Sequence, residues 1–299
     1  MDLRQLRYFI AIVEEKKITA AAKRLHIAQP PLSQQLKLME QELGVQLIER
    51  SGKLLEVTEA GKMLYKHALH IIRYMEESQL EVQETGAGLR GKLTLGINTL
   101  SDARFAELLA AFRGKYPNIS FKIQQNESDK LCQLVRERSI ELAIVRYPLE
   151  LSDFSVLHLK TEPYCFVISA QEQVEGETIS FPEIGSVPLI LPSTEGLGVH
   201  QMIVDEFACC QVEPNVICEC SDISLLLQLV SSGLGATIVP ASVLQLHRGH
   251  AVRALKIVDT TLTATSVLIW LKDRYLSKGA QHFIDMLSSN SAFTDGRRG

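Results

Sequence analysis

The sequence predicts an all-α winged helix-turn-helix domain and a long linker helix, followed by a two-lobed α/β domain. Three observations indicate this fold class. Three short segments within residues 1–43 carry apolar side chains at helical spacing, a longer amphipathic segment runs from about 59 to 85, and short apolar strands alternate with helices after Gly91. A chain of 299 residues is long enough for two or three compact units.

Two short helices open the chain. One face of the first helix carries Leu3, Leu6, Phe9 and Val13. The second helix follows in "ITAAAKRL", with Thr19 as a candidate N-cap. Ala21 and Ala22 favour a close crossing of the two helices, since the distance between packed helices depends on the size of the side chains at the contact. A short turn, His26-Ile27-Ala28, then leads to a third helix.

The third helix begins at two prolines. Pro30 and Pro31 fit only in the first turn of a helix, where the missing N–H leaves no helical hydrogen bond unmade. Gly44 favours a left-handed residue after the helix end. The apolar stripe consists of Leu32, Leu36, Met39 and Leu43. The opposite face has no carboxylate, which suits base edges and phosphates, and consists of Pro30, Ser33, Gln34, Lys37 and Gln41.

Charge in the N-terminal region favours a polyanionic partner. The chain has a formal net charge of −4, yet residues 16–39 hold five Lys or Arg and no Asp or Glu. Residues 45–61 then predict two short strands around Ser51-Gly52-Lys53, a hairpin wing. The alternative interpretation is a solvated helix face with a chance run of lysines. The candidate DNA contacts are Thr19, Lys23, Arg24, Gln29, Pro30, Pro31, Ser33, Gln34, Lys37, Arg50 and Lys53.

A long amphipathic helix is predicted from a cap at Thr58 to about Thr85. Its apolar positions alternate four and three residues apart, which is typical of a seam between paired helices. A second copy of the chain would bury this face, so we expect dimerisation through this helix. Three glycines in "ETGAGLRG" then indicate a flexible joint. The seam consists of Leu64, Ala68, Ile71 and Met75, continued by Ser78 and Val82.

After Gly91 the chain alternates strands and helices, the pattern of parallel sheets covered on both faces. The predicted strands are "KLTLGIN", "ISFKIQQN", "IELAIVR", "YCFVISA", "VPLILP", "NVICEC", "GATIVP" and "TSVLIWL". About 200 residues of this pattern predict two α/β lobes. We place lobe one at 91–161 and 264–290, lobe two at 162–263, and a disordered tail at 291–299.

Residues 1–90 resemble the amino-terminal module of LysR-type transcriptional regulators. The resemblance lies in "LRQLRYFIAIVEEKKITAAAKRL", "AQPPLSQQLKLMEQELGVQLIER" and "TEAGKMLY", which match in order and spacing. Many members have Ser or Thr where this chain has Ala28. Many also have Arg in place of Gln34, and glutamine pairs with adenine rather than with guanine or phosphate.

The resemblance implies a DNA-binding domain at 1–58, a linker and dimerisation helix with a hinge at 59–90, and an effector-binding domain at 91–299. The last is similar to periplasmic solute-binding proteins, with two crossing strands and a cleft between lobes. The implied function is sequence-specific transcriptional regulation, switched by a small-molecule effector. The implied partners are double-stranded DNA with an inverted-repeat operator, further copies of the chain in a homodimer or homotetramer, and RNA polymerase. No cofactor is implied.

Candidate effector-binding residues follow the predicted strands. Ligands of open α/β sheets bind at the carboxyl ends of strands, beside helix N-termini. Free N–H groups and hydroxyls at such positions favour an anion, often a carboxylate. The alternative interpretation is structural: the hydroxyl residues would cap helices, and the arginine would form a surface ion pair. The candidates are Asn98, Thr99, Ser101, Ser128, Arg146, Ser193, Thr194 and Gly198.

Other classes of function find less support in the sequence. No Gly-x-Ser-x-Gly, phosphate loop or His-Glu-x-x-His motif indicates an enzyme. The start "MDLRQLRYF" does not resemble a signal peptide, and no run of about 18 apolar residues predicts a membrane span, so we expect a cytoplasmic protein. A cytoplasmic small-molecule-binding protein is the alternative from a different class.

The cysteines and histidines predict neither a metal site nor a cofactor. Six cysteines in a reducing compartment are expected to be thiols. Four of them lie at 209–220, but no Cys-x-x-Cys pair indicates zinc. His67 and His70 are two ligands at most. A redox-responsive regulator that uses the cysteines near 209–220 remains an alternative.

Overall fold

The computed structural model describes residues 1–51, 54–86, 91–98, 105–147, 149–192 and 198–289. Two units make up the chain. One comprises Met1–Gly86 with Glu137–Ser139, and the other Ala87–Arg136 with Ile140–Gly299. None of the helices in the described ranges is long and apolar enough to cross a membrane.

The first unit consists of four helices and one hairpin, as predicted. Apolar side chains from these elements form a single core, in which Phe9, Leu32 and Met39 are fully buried. The hairpin closes against this core through Leu47 and Ile48. The elements are α1 (Leu3–Glu15), α2 (Ile18–Arg24), α3 (Gln29–Leu43), β1 (Ile48–Ser51), β2 (Leu54–Val57) and α4 (Glu59–Gly86).

The turns between these helices are tight. Lys16 follows α1 and His26 follows α2, and both have a left-handed backbone, with φ of 53° and 54°. This conformation costs a non-glycine residue about 1 kcal/mol, because the Cβ atom crowds the following carbonyl oxygen. After α3 the left-handed position is taken by Gly44, with φ of 70°, where glycine has no such cost.

The helix starts differ in how they are capped. The expected N-cap of α2 is wrong: the helix begins at Ile18 with Lys17 before it, so Thr19 lies inside the helix. Ala28 precedes α3 without a capping side chain, and the two prolines fill the first turn because proline fixes φ near the helical value. Thr58 caps α4, since its hydroxyl accepts a hydrogen bond from the Gly61 N–H at 3.0 Å.

The second unit is an α/β structure whose described residues form four clusters of buried apolar side chains. The two largest lie around Phe112 and Phe283 and around Phe166 and Phe207. The elements are β3 (Gly91–Asn98), α5 (Phe105–Lys115), β4 (Ile119–Asn126), α6 (Ser128–Arg136), β5 (Leu142–Arg146), β6 (Phe154–Ser169), β7 (Thr178–Ile179), α7 (Phe181–Gly185), β8 (Leu189–Pro192), α8 (Val199–Cys209), β9 (Val216–Cys220), α9 (Ile223–Ser231), β10 (Thr237–Pro240), α10 (Ala241–Leu246), β11 (Val252–Ile257), β12 (Thr263–Leu271) and α11 (Lys278–Ser289).

The sheets of this unit are mixed rather than purely parallel. The strand order is β4-β3-β5-β12-β6-β11-β7, with β10 also paired to β6. β3 runs parallel to β4 and β5, whereas β12 runs antiparallel to β5 and β6. The expectation of parallel sheets throughout is therefore wrong, since β12 is antiparallel to both of its neighbours, β5 and β6.

One strand, β6, belongs to both lobes. It pairs with β12 as far as Pro163, and from Tyr164 onwards it pairs with β10. This change of partner lies beside the predicted lobe boundary at 161/162. In lobe two, β8 and β9 pair in parallel, and a bridge joins Leu189 to Ala236. The carboxyl ends of β8, β9 and β10 therefore lie at one edge of this lobe.

Candidate nucleic-acid interface and ligand cleft

The two faces of α3 have opposite environments. Leu32, Leu36 and Met39 are buried in the core of the unit. The predicted DNA contacts on the other face are open to solvent: Gln34 and Lys37 are exposed, and Ser33 is half-buried. Gln29, Pro30 and Pro31 are exposed at the start of the helix. A single helix thus packs with one face and presents amide, hydroxyl and ammonium groups on the other.

A groove lies between α3 and the wing. Its polar wall is formed by Ser33, Gln34, Lys37 and Glu40 of α3. Its apolar wall includes Ile48 and Leu55 of the hairpin, together with Ile18 and Leu36. The carboxylate of Glu40 interrupts a surface that otherwise suits a polyanion. Glu40 was not among the predicted site residues because it lies just beyond the acid-free stretch 16–39.

The basic residues of α2 are exposed, but they are not equivalent. Lys23 is exposed at the surface. Arg24 instead binds two carboxylates: its Nη1 lies 2.6 Å from Glu14 Oε2 and 3.2 Å from Glu15 Oε1. The hydrogen bond and charge of Glu14 raise the pKa of Arg24. A phosphate would have to compete with these carboxylates for Arg24, which makes Lys23 the more available cation.

The predicted contacts in the wing are only partly described. Arg50 lies in β1, which pairs with β2 through Arg50↔Leu55. Lys53 lies outside the described residues. The predicted contact Thr19 is exposed on α2.

The predicted seam of α4 divides between two environments. Ala68 is fully buried in the unit's own core, and Leu64 packs against that core. Farther along the helix Ile71 is 43% exposed and Val82 is 74% exposed. Met75 and Ser78 are half-buried. The open apolar stripe therefore starts later than predicted, and it also includes Tyr74, which is 62% exposed.

Three of the predicted effector residues meet at the carboxyl edge of lobe one. Asn98 ends β3, Ser128 begins α6 and Arg146 ends β5. The Ser128 hydroxyl oxygen accepts hydrogen bonds from Asn98 Nδ2 at 2.9 Å and from the Arg146 N–H at 3.0 Å. All three residues are buried. Thr99, Ser101, Ser193 and Thr194 lie outside the described residues, and Gly198 precedes α8 with φ of 60°.

Arg146 also joins a buried network that connects the two lobes. Its Nη2 donates hydrogen bonds to Glu162 Oε1 at 3.0 Å and to Ser242 Oγ at 3.2 Å. Ser242, in the first turn of α10, in turn donates to Glu162 through its hydroxyl at 2.6 Å and its N–H at 3.0 Å. Lys160 Nζ lies 3.3 Å from Glu162 Oε2. The carboxylate thus has partners on β5, β6 and α10.

The charge balance of this network has a physical consequence. Burial alone would raise the pKa of Glu162, but hydrogen bonds from Ser242 and the charge of Arg146 outweigh burial and lower the pKa. Glu162 is therefore ionised at neutral pH. Together with Arg146 and Lys160, it forms a group with one net positive charge where the two lobes meet.

Glu162, Ser242 and Lys160 were not among the predicted site residues. Ser242 lies in the first turn of α10, just after the predicted strand "GATIVP", and the rule that selected Ser128 would have selected it if a helix had been predicted there. Glu162 and Lys160 carry no such signal, because the strand that holds them was not predicted before Tyr164. The contact of Glu162 with Ser242 joins positions that are 80 residues apart, and Lys160 contacts Glu162 rather than Ser242.

The cysteines of the described chain are all free thiols. Cys132 and Cys220 are buried, Cys165, Cys210 and Cys218 are partly buried, and Cys209 is exposed. Burial raises the pKa of Cys132 to about 11 and also raises that of Cys165 and Cys210. A raised pKa lowers the fraction of reactive thiolate. No cluster of three or more potential metal ligands is found among the described residues.

Two family models match the chain. The model described as "Bacterial regulatory helix-turn-helix protein, lysR family" matches residues 3–62. The model described as "LysR substrate binding domain" matches residues 86–292.

Individual proteins match over nearly the whole chain. The sequence is 38% identical over 289 residues to the HTH-type transcriptional regulator BsdA of Bacillus subtilis (strain 168), covering 96% of this chain and 100% of that protein. It is 31% identical over 302 residues to the nitrogen assimilation regulatory protein nac of Klebsiella aerogenes, covering 97% of this chain and 95% of that protein. The crystal structure of full-length CbnR complexed with its target DNA matches with a TM-score of 0.75 and 25% identity, covering 96% of this chain and 99% of that chain.

The buried network predicts a pH dependence of stability. The pKa of Glu162 is lowered in the folded state, so its ionisation stabilises the fold above the unfolded pKa of about 4.3, and this contribution is lost as pH falls through the lower folded pKa. Glu162→Gln should remove this contribution and destabilise the domain by about 3 kcal/mol at pH 7, because Arg146 loses its charged partner.

Denaturant unfolding followed by the fluorescence of the single tryptophan, Trp270 in β12, measures this effect between pH 3 and pH 7. Glu175→Gln removes an exposed carboxylate and serves as the matched control. Parallel stability curves for wild type and Glu162→Gln would contradict the interpretation.

Proposed function

Because this chain belongs to the LysR family of DNA-binding transcriptional regulators, we propose that α3 binds the major groove of an operator and that a small anion in the cleft between the lobes controls this binding. The observation that supports the first part is the exposed face of α3. It presents Gln34 and Lys37 while the opposite face is buried. A helix placed in this way can bind a groove without losing its own packing.

The exposed side chains divide into two kinds of contact. Gln34 can make a bidentate contact to the N6 and N7 atoms of adenine. Lys23 and Lys37 are point charges that suit phosphates, and such contacts position the helix without specifying sequence. The solved structure of CbnR with its target DNA, at 25% identity, supports the use of this module on DNA. We place Arg50 and Lys53 of the wing at the adjoining backbone.

The proposed effector is a small carboxylate. Asn98, Ser128 and Arg146 meet at the carboxyl edge of lobe one, next to the start of α6, and helix N-termini favour anions. The net positive charge that Lys160 adds to the Arg146–Glu162 pair favours the same class of ligand. We extend the site to Thr99, Ser101, Ser193 and Thr194, which lie outside the described residues. A ligand that binds both lobes favours the inter-lobe arrangement in which both sets of contacts form.

The active species is proposed to be a dimer or a tetramer acting in the cytoplasm, where its DNA is. The exposed stripe of Ile71, Tyr74 and Val82 on α4 would be covered by the same helix of a second copy. Two recognition helices then contact two half-sites of an inverted repeat, which one helix cannot do. RNA polymerase is a further partner in this proposal.

The contacts of α3 are tested on a site that the wild-type chain selects from a pool of random duplexes. Gln34→Ala should weaken binding by about 1–3 kcal/mol and relax the preference at one base position in each half-site. Lys37→Ala should weaken binding to all sequences alike. It should also reduce the slope of log affinity against log salt concentration by about one. Titration by fluorescence anisotropy measures both effects. Lys115→Ala, an exposed lysine in α5, is the control, and wild-type affinity in both α3 variants would exclude this face as the interface.

The ligand class is tested by the charge at Lys160. Thermal shift of the full chain against small aliphatic and aromatic carboxylates identifies a binder, because a ligand of the native state raises the melting temperature. Lys160→Met should then weaken the binding of that carboxylate by about tenfold or more, since a charged hydrogen-bond partner contributes about 1.5–3 kcal/mol. The corresponding primary amide should bind weakly to both proteins. Lys122→Met, on the exposed part of β4, is the control. Equal binding of acid and amide would rule out an anionic ligand.

The dimer is tested by placing charges on the open part of the stripe. The double variant Ile71→Asp and Val82→Asp should dissociate into monomers, because each carboxylate would be buried unpaired in the seam. Light scattering measures the mass, and affinity for the selected DNA should fall with it. Lys66→Asp introduces the same side chain at an exposed position off the stripe and should keep the parent mass. A double variant with the parent mass would reject this seam.

A further inference from the structure

The wing of the first unit is too small to hold its own position. Its two strands, Ile48–Ser51 and Leu54–Val57, have four residues each. An isolated hairpin of this size is marginally stable in water. Its placement next to the DNA-binding face of α3 must therefore come from contacts with the helices around it.

One anchor of the wing comes from the N-cap and first turn of α4. The Thr58 N–H donates a hydrogen bond to the Leu47 carbonyl at 3.1 Å. Gly61 lies so close that a Cβ atom there would stand 2.1 Å from the Leu47 oxygen. These contacts explain the "TEAG" segment physically: Thr58 caps α4 and binds the wing, and only glycine leaves room for the Leu47 carbonyl at position 61.

A second anchor comes from the turn between α1 and α2. The Leu55 N–H in β2 donates a hydrogen bond to the Lys16 carbonyl at 3.2 Å. Lys16 is the residue whose left-handed backbone ends α1. The far strand of the hairpin is thus held by the helix-turn-helix body.

The third anchor is the only one of the three that lies on α3. Glu40 Oε1 accepts hydrogen bonds from the N–H groups of Leu47 at 2.9 Å and of Ile48 at 3.2 Å. These are the last residue before β1 and the first residue in it. Leu47 is 1% exposed and Ile48 is 8% exposed, and buried backbone donors left without an acceptor are costly. One carboxylate oxygen therefore connects the recognition helix to the start of the wing.

We propose that Glu40 is a positioning residue for DNA recognition, which fixes the wing against α3 and so determines how the wing meets the DNA beside the bases that α3 contacts. The inference rests on the proposed DNA contacts of α3. It accounts for a carboxylate in the groove that Ser33, Gln34 and Lys37 line, where a negative charge would otherwise only repel phosphates. Its role is to accept two backbone hydrogen bonds, so an amide oxygen could replace it.

The test compares Glu40→Gln with Glu40→Ala in the full chain. Both remove the charge, but only glutamine keeps an oxygen that can accept the two N–H bonds. The probe is the duplex that the wild-type chain selects from a random pool, and hydroxyl-radical footprinting measures protection at each nucleotide. Glu42→Ala is the matched control, because Glu42 lies on the same helix and pairs only at the surface with the Met1 amino group in the described chain.

We expect Glu40→Gln and Glu42→Ala to give the wild-type footprint. Glu40→Ala should keep protection at the central bases and lose it at the flanking nucleotides, with affinity lowered about tenfold by the two lost hydrogen bonds. Circular dichroism checks that each variant is folded. If Glu40→Ala is unfolded, Glu40→Asp, whose shorter side chain cannot reach both donors, is expected to give the same selective loss.

Three results would overturn the inference. Flanking protection that persists in both Glu40→Ala and Glu40→Asp would show that Glu40 does not position the wing. Equal changes in Glu40→Gln and Glu40→Ala would indicate a charge effect alone, and equal loss of central and flanking protection would indicate general destabilisation. A wild-type chain that protects no bases at all would instead refute the proposed contacts of α3, so the two failures are distinguishable.

Discussion

The buried pair of Arg146 and Glu162 is the interaction on which the effector-binding domain depends. Glu162 lies within two residues of the point where β6 leaves β12 and joins β10. Its carboxylate is 5% exposed, and a buried charge is tolerated only with close partners. Those partners come from both lobes, Arg146 on one side and Ser242 on the other. Any change in the angle between the lobes must keep these partners or replace them, and a ligand carboxylate could offer Arg146 a replacement. In the proposed function, ligand recognition and the angle between the lobes therefore depend on the same few atoms.

In the DNA-binding unit, hydrogen bonds between side chains and backbone groups hold the hairpin in place. Its hairpin is short, so side chains from neighbouring elements satisfy the backbone donors and acceptors at its base. Glu40 accepts from the start of β1, and Thr58 donates to the same segment. The apolar core explains why the helices pack, but it is non-directional. Directional hydrogen bonds at the edge of the core fix where the wing lies relative to α3.

Much of this architecture could be predicted from local patterns, and the limits have physical causes. The bounds of β4 match the predicted strand "ISFKIQQN" because the pattern of apolar residues is a local property of the sequence. Asn98, Ser128 and Arg146 were grouped correctly because parallel strands end at one edge of a sheet. The first half of β6 was missed because its buried and exposed positions alternate irregularly across Lys160 and Pro163. Contacts between distant positions, such as Glu162 with Ser242, produce no periodic pattern in the sequence. For the same reason periodicity could not show that Ala68 faces its own core.

The left-handed turns at Lys16 and His26 have a consequence for the lifetime of the protein in the cell. Each turn stores about 1 kcal/mol of backbone strain, and this much changes the ratio of folded to unfolded molecules about fivefold. Cellular proteases degrade the unfolded fraction, so small losses of stability alter steady-state abundance. The strain in the turns that join α1 to α2 and α2 to α3 is therefore expected to lower the steady-state amount of the regulator.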